Sequence, residues 1–422
     1  MIVARFLYTL LFHLVLPLVV LRLLWRSLRA PAYRQRWPER FGLGVPAQTG
    51  GLWVHAVSVG ETLAAAPLVN AWRKAHPGEP VLVTTMTPTG SARVQALWGH
   101  DINHCYAPYD LPWAWALFLR GIRPRGLVIM ETELWPNMLA AAEARGIPVI
   151  LANARLSERS ARGYGRAGWL SRSMLQDLSC IAAQDEATAS RFLALGVVPD
   201  RVQVTGSIKF DFSPPPGLRE QAVAVRQRWQ LAGRQVLVAA STHDGEDALI
   251  LSAFARLRER FPAALLVLVP RHPERFDSVA KLVAEQGLVQ ARRSRQQDVT
   301  PDVAVFLGDS MGELLLWYAL ADVAFVGGSL VPVGGHNMLE PIALEVPTVS
   351  GPHVFNFQAI AEELVVEGAL QLVEASHLAE VVIQLLQSPD TARQQVAAGR
   401  SVIQRNRGAL QRQLALVDQV AS

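Results

Sequence analysis

The chain has 422 residues, half of them apolar and 18% charged. That excludes a disordered chain and exceeds the usual size of one hydrophobic core, so two domains are expected. The net charge of +4 is unevenly spread: residues 1–213 carry 22 Lys and Arg against 14 Asp and Glu, the rest 18 against 22. The first half therefore favours an anionic partner or membrane surface. No finger, RNP or basic-zipper pattern points to nucleic acid.

Phe6 to Leu21 is an uncharged apolar run bounded by Arg5 and Arg22. It predicts an N-terminal membrane-anchor helix, shorter than the roughly 20 residues a full span needs. No small-residue cleavage motif follows, which argues against a signal peptide, and the cations after it point to a cytoplasmic continuation. A buried core helix is the competing reading. The sequence does not decide between a short span and a helix lying in the interface.

After Gly42, short apolar runs alternate with helical stretches. Strands are predicted at 52–56, 81–85, 126–130, 148–152, 180–183 and 202–205, a pattern of parallel strands covered by helices. The first motif, His55-Ala56-Val57-Ser58-Val59-Gly60-Glu61, ends a strand on a glycine and a carboxylate. A glutamate there can take a proton from an acceptor hydroxyl, or merely complement a helix dipole. Next, Glu131-Thr132-Glu133-Leu134-Trp135-Pro136-Asn137 sets two carboxylates at a strand end, and spacing does not say which lines a cleft. Arg155, Arg159, Arg162 and Arg166 follow at steps of a helical face, a candidate contact for acceptor phosphates or an anionic bilayer, or simply a solvated face. In Gly206-Ser207-Ile208-Lys209-Phe210-Asp211 a lysine can offset a phosphate or carboxylate.

Ser213-Pro214-Pro215-Pro216-Gly217 then reads as a linker. The alternation resumes with strands predicted at 235–240, 264–269, 303–307, 322–326, 346–350 and 370–373. The domains expected are an anchor over 1–30, an N-terminal α/β domain over 31–212, a linker over 213–232 and a C-terminal α/β domain over 233–422, whose last helix is free to pack back on the first domain.

Three motifs in the second half carry polar groups to strand ends. In Pro270-Arg271-His272-Pro273-Glu274-Arg275, Arg271 is a candidate bidentate phosphate ligand. His272 has no ligand-spaced partner for a metal, and neither cysteine, Cys105 or Cys180, lies in a C-x-x-C pair. Gly308-Asp309-Ser310-Met311-Gly312-Glu313 is a small-residue turn without the G-x-G-x-x-G fingerprint of a nicotinamide site. Gly334-Gly335-His336-Asn337-Met338-Leu339-Glu340-Pro341 reads as a glycine loop opening a helix, an anion site with Glu340 able to accept from a ribose diol, or else a capped loop.

Six of these motifs, in this order between about residues 33 and 360, resemble the Kdo (3-deoxy-D-manno-octulosonic acid) transferase family. They are Ser58 to Glu61, Glu131 to Asn137, Gly206 to Asp211, Pro270 to Arg275, Gly308 to Glu313 and Gly334 to Pro341. The resemblance implies an α/β protein of GT-B type, with two Rossmann-like doubly wound domains facing a cleft. It implies inverting transfer of Kdo from CMP-Kdo to a tetraacyl lipid A precursor, with no metal and no cofactor, on the cytoplasmic side of the inner membrane. Glu61 would be the general base, and Glu131 and Lys209 would stabilise the transition state. Pro270, Arg271, Met311, Gly312, Glu313, Asn337, Met338, Leu339 and Glu340 would hold CMP. Met338 departs slightly, standing where a smaller or different apolar residue is common. The competing functions are a UDP-sugar transferase or 2-epimerase of the same architecture, and a membrane-tethered protein that only binds nucleotide sugars.

Overall fold

The computed structural model describes residues 2–421. Met1 and Ser422, the outer ends of the expected anchor and C-terminal domain, lie outside the described residues. The chain divides into two units, Met1–Asp211 with Arg407–Ser422, and Phe212–Asn406.

Helix α1 spans Ile2–Arg29. Its segment Val3–Leu28 is long and apolar enough to cross a membrane. One stripe nevertheless packs on the first unit along the whole length: Ala4, Leu23 and Ser27 are buried, while Phe12, Leu16 and Val19 pack against Tyr109, Leu111 and Ala114. Polar contacts tie the same stripe down, Thr9 Oγ1 to Asn137 Oδ1 at 3.0 Å and Trp113 Nε1 to His13 Nε2 at 3.3 Å. The other face exposes Phe6, Leu10, Leu14, Leu18 and Leu21.

The first unit is built on a seven-stranded parallel sheet: β1 Leu52–His55, β2 Val81–Thr85, β3 Asn103–Tyr106, β4 Gly126–Met130, β5 Val149–Ala154, β6 Cys180–Ala183 and β7 Val202–Val204. Their order across the sheet is β3-β2-β1-β4-β5-β6-β7. The central strands are buried on both faces, between one cluster containing Trp53, Trp115 and Phe118 and another containing Leu68, Val69 and Trp72. That two-sided burial is why they read as continuous apolar runs. Helices α2 Val59–Ala75, α3 Pro136–Glu143, α4 Glu158–Arg166 and α5 Gly168–Gln176 belong to the same unit.

In the second unit, α6 Leu218–Arg228 leads into the strands β8 Val236–Thr242, β9 Leu265–Pro270, β10 Gln290–Arg292, β11 Val305–Leu307, β12 Val323–Val326, β13 Thr348–Ser350 and β14 Gln371–Leu372. All pair in parallel, in the order β10-β11-β9-β8-β12-β13-β14. Helices α7 Glu246–Arg260, α8 Leu314–Leu320, α9 Leu339–Ala343 and α10 Pro389–Asn406 belong to the same unit, and α11 Ala409–Ala421 returns the chain to the first.

Two details differ from the sequence expectation, and a third is the packing back of the last helix that the sequence allowed. The segment 213–232 is mostly helical: α6 buries Leu218 and Ala222, and Trp229 after it stacks on Trp317 and packs on Phe306. The proline run and the turn over 229–232 lack regular structure, and the helix between them forms because its apolar residues find partners. Residues after 406 belong to the first unit. There Asp211 accepts from the Gly408 and Leu410 amides, each at 2.6 Å, and Gln413 Oε1 accepts from the Asn153 amide at 2.9 Å. Finally, β3 and β10 were not anticipated; they are edge strands carrying polar residues, without the apolar run that marks a strand buried on both faces.

Candidate active site

In each sheet the chain starts on a central strand, builds outward to one side, then crosses to the other. The resulting switch point lies between β1 and β4 in the first unit and between β8 and β12 in the second. Ligands of open α/β sheets bind at the carboxyl ends of such strand pairs.

Glu61 follows β1 in the first turn of α2. Ser58 caps that helix, accepting from the Glu61 amide at 3.3 Å. In return the Glu61 carboxylate accepts from Ser58 Oγ and from the Val57 amide, both at 2.7 Å. This is the reciprocal geometry of a capping box. Its environment is unusual for a cap: the side chain is buried, and burial pushes its pKa up to about 7, with Glu133 and Glu131 adding repulsion. A carboxylate poised there is matched to proton abstraction near neutral pH.

Glu131 follows β4 with φ 59°, a left-handed backbone that a glutamate adopts only under constraint. Its Oε1 lies 3.8 Å from Lys209 Nζ. Lys209 is carried on the turn Ile208–Asp211, which is pinned by Ile208 N donating to Asn153 Oδ1 at 3.1 Å and by the Asp211 contacts above. Burial pulls the Lys209 pKa down, Glu131 opposes that, and Arg155 reinforces it. Glu61, Glu131 and Lys209, far apart in sequence, thus gather on one side of the first switch point. Beneath them His55 is fully buried, held by Thr84 Oγ1 at 2.9 Å and against the Trp135 ring at 4.8 Å, and burial lowers its pKa to about 3.

The arginine stripe needs correction. Ser157 caps α4 and Arg155 precedes it, so Arg155 belongs with Lys209 and not with the helix. Arg159, Arg162 and Arg166 remain on α4, all exposed. Glu158 pairs loosely with Arg162 at 3.6 Å.

Across the second switch point, β8, β9 and β12 are followed directly by His243, Arg271 and Gly327. Pro270 is buried as the last residue of β9, and the Arg271 amide donates to Thr242 O at 3.0 Å. Asn337 Nδ2 donates to Glu340 Oε1 at 3.2 Å. Burial raises the Glu340 pKa to about 7, against the pull of Asn337 and of the nearby Arg271. Met338 and Leu339 are buried in the core, which leaves their backbone as the part able to meet a ligand. The helix that this loop opens, α9, has only 5 residues, too short for the helix-terminus anion site expected from its glycines. Met311 is exposed at the tip of the loop after β11, Gly312 has φ 87°, and Glu313 is clamped by Arg293, at 2.7 Å, and by Ser310. The Arg293 hydrogen bonds hold the Glu313 pKa low.

Two residues escaped sequence reasoning. Glu246, wholly buried, accepts from the amides of His243, Gly328, Ser329 and Leu330 at 2.6–2.8 Å, lacing the ends of β8 and β12 together. His243 pairs with His336 at 2.9 Å. The signal was present: Gly245-Glu246 repeats the Gly60-Glu61 pattern after the first strand of its unit. Among the described residues, no three His, Cys, Asp or Glu side chains are arranged to hold a metal ion.

Comparison with known proteins agrees with this geometry. A profile of the family described as 3-Deoxy-D-manno-octulosonic-acid transferase (kdotransferase) matches residues 35–212. The 3-deoxy-D-manno-octulosonic acid transferase of Haemophilus influenzae is 42% identical over 418 residues, covering 98% of each chain. That of Bordetella pertussis is 39% identical, covering 97% of this chain and 98% of its own. The crystal structure of a glycosyltransferase from Rickettsia africae ESF-5 superposes with a TM-score of 0.56 at 14% identity, over 89% of this chain and 98% of that one, a likeness of fold. The chain has the GT-B type of fold and belongs to the 3-deoxy-D-manno-octulosonic acid transferase family of glycosyltransferases.

Proposed function

We propose that this enzyme transfers Kdo from CMP-Kdo to a lipid A precursor, with inversion and without a metal ion. The observation that carries the reading is the buried Glu61 carboxylate at the first switch point, its pKa raised to about 7 beside the Glu131–Lys209 pair. Glu61 takes the proton of the acceptor hydroxyl as that oxygen bonds to the anomeric carbon. The bond from that carbon to the phosphate breaks on the opposite face, and its electron pair leaves with CMP. Lys209, tethered by Glu131, offsets the sugar's own carboxylate. Arg271 and the backbone around Gly312 and Asn337 to Glu340 hold the nucleotide, whose negative charge grows as it departs.

The test is mass spectrometry of the lipid formed from pre-made CMP-Kdo and a tetraacyl lipid A precursor, in the presence of EDTA. A product heavier by one or more Kdo units is expected. No transfer with or without magnesium would remove the acceptor assignment, and transfer only after magnesium is restored would remove metal independence. A preference for UDP over CMP in a thermal-shift panel would instead favour a UDP-sugar enzyme.

Helix α1 supports a membrane location, which we assign to the cytoplasmic face of the inner membrane. Because its buried stripe runs from Ala4 to Ser27 against the first unit, a helix lying in the interface with its leucine face in lipid agrees better with the packing than a perpendicular span. Exposed Trp25, Trp113 and Trp169 suit the same boundary.

A further inference from the structure

Three imidazoles meet at the second switch point, and the reading of the nucleotide site above uses none of them. His243 follows β8, His272 follows β9, and His336 stands in the loop that joins β12 to α9. His243 and His336 are stacked, with ring centroids 5.1 Å apart and their Nε2 atoms 2.9 Å apart, while the His272 ring meets His243 edge-on at 5.0 Å. The backbone is shaped to admit them. A Cβ at Gly328 would lie 2.9 Å from the His336 ring, so only glycine leaves room for it. Ser241, two residues before His243, holds a left-handed φ of 58° where β8 slips register. Strain of this kind in a non-glycine residue collects at functional sites.

The charges around the cluster are mostly positive. His243 is faced by His336, His272, Arg271 and Arg275, with Glu246 as the one carboxylate acting on it. That carboxylate is saturated by four backbone amides. His336 is faced by His243, Arg271 and His272. Arg275 is neutralised by Asp247, to which it is directly paired. Burial, followed by these cations, lowers the pKa of both rings, that of His336 to about 3. Two imidazoles within hydrogen-bonding distance of each other, beside Arg271, form a largely cationic site, with Glu274 4.0 Å from His272 and the buried Glu340 acting on Arg271.

We infer that His243, His272 and His336 form, with Arg271, the subsite for the phosphate of the nucleotide. This rests on the CMP reading and specifies how it works. An anion here can accept hydrogen bonds from the rings and makes their protonated forms cheaper. Where free pKa values are depressed and bound ones are raised, binding takes up a proton. Phosphate binding is therefore accompanied by proton uptake at the rings. The bond to phosphate comes from groups on three adjacent strand ends, β9, β8 and β12, as the switch-point rule requires.

The experiment is calorimetric titration of the full chain with CMP and, separately, with cytidine. The proteins are wild type, His243→Asn, His336→Asn and, as a reference for phosphate loss, Arg271→Ala. Cytidine lacks only the phosphate, so its affinity also reports whether each variant's base pocket is intact. The histidine variants are expected to lose about tenfold or more in CMP affinity, as for one charge-assisted hydrogen bond, with cytidine affinity unchanged. In buffers of different ionisation enthalpy, wild type should bind more protons per CMP than either variant. Unchanged CMP affinity in both variants, or equal losses for CMP and cytidine, would overturn the subsite. If wild type binds neither ligand, the CMP reading itself falls.

Discussion

Glu61 and Glu246 hold the same place in their units: each follows a glycine and opens the first helix after the first central strand. Their surroundings differ sharply. Glu246 is wholly buried and accepts four backbone amides, three of them from the turn after β12. It ties two strand ends together, and every oxygen lone pair has a structural use. Glu61 accepts one hydroxyl and one amide from its own turn, and its other neighbours are carboxylates. Donors stabilise a charge and lock it in place, whereas burial with few donors and like charges nearby leaves a proton exchangeable near neutral pH. One glutamate is a structural strut and the other keeps an exchangeable proton, as the base we propose needs, although the local sequence signal is the same.

The largest effect should come from breaking the base. Glu61→Gln keeps the cap, and transfer should fall on the order of 10²–10⁴-fold, measured with CMP-Kdo under saturating acceptor. Near-normal turnover by this folded variant would falsify the base assignment. Its folding should not suffer. The native pKa of about 7 exceeds the ordinary 4.5, so the charged form costs stability as pH rises through that window. The glutamine variant should therefore match wild type in denaturant at pH 5 and equal or exceed it at pH 8.

Glu246→Gln should show the opposite profile. A carboxamide presents two hydrogens toward backbone donors, leaving amides unpaired inside the protein. A loss of about 3 kcal/mol is expected, read as a lower urea midpoint. A variant with wild-type stability would show that the strut carries little and would erase the contrast between the two residues.

A smaller, graded effect belongs to pH. If Glu61 must be ionised, kcat/KM for transfer should fall about tenfold per unit below its pKa near 7 and level off above it. The limb should be absent from the residual activity of Glu61→Gln. A limb that persists unchanged in that variant would move the titrating group elsewhere.

The smallest effect is expected from Arg159→Glu with Arg162→Glu on α4. These side chains are exposed, and each cation near an anionic membrane is worth about 1 kcal/mol. The double variant should bind anionic liposomes several-fold more weakly, or show a raised acceptor KM, with CMP affinity unchanged. Normal binding and kinetics would make this helix a solvated face, with membrane attachment left to α1.

Much of this protein is legible without coordinates. The central strands of the two parallel sheets read as short apolar runs because they are buried on both faces. The glycines, prolines and charged residues that end them mark the strand ends where ligands bind. The motifs singled out Glu61, Lys209, Arg271 and Glu340 as polar groups at such ends, costly to bury without a purpose, and left Glu131 and Glu133 undecided until the family resemblance chose Glu131. What the sequence could not decide were properties that depend on residues distant in the chain. Whether Arg155 joins a helix stripe or Lys209 depended on where Ser157 caps α4. Whether α1 stands free or docks depended on a stripe matched to Tyr109, Leu111 and Ala114. The last helix joined the first unit through amides that only Asp211 and Gln413 could satisfy at that distance in sequence. The different fates of two Gly-Glu turns, and the meeting of three histidines, were set by strand order, since β8, β9 and β12 become neighbours only when the sheet forms. Local pattern specifies which elements form and where polar groups end. Charge, strain and pKa at those ends come from what the fold brings beside them.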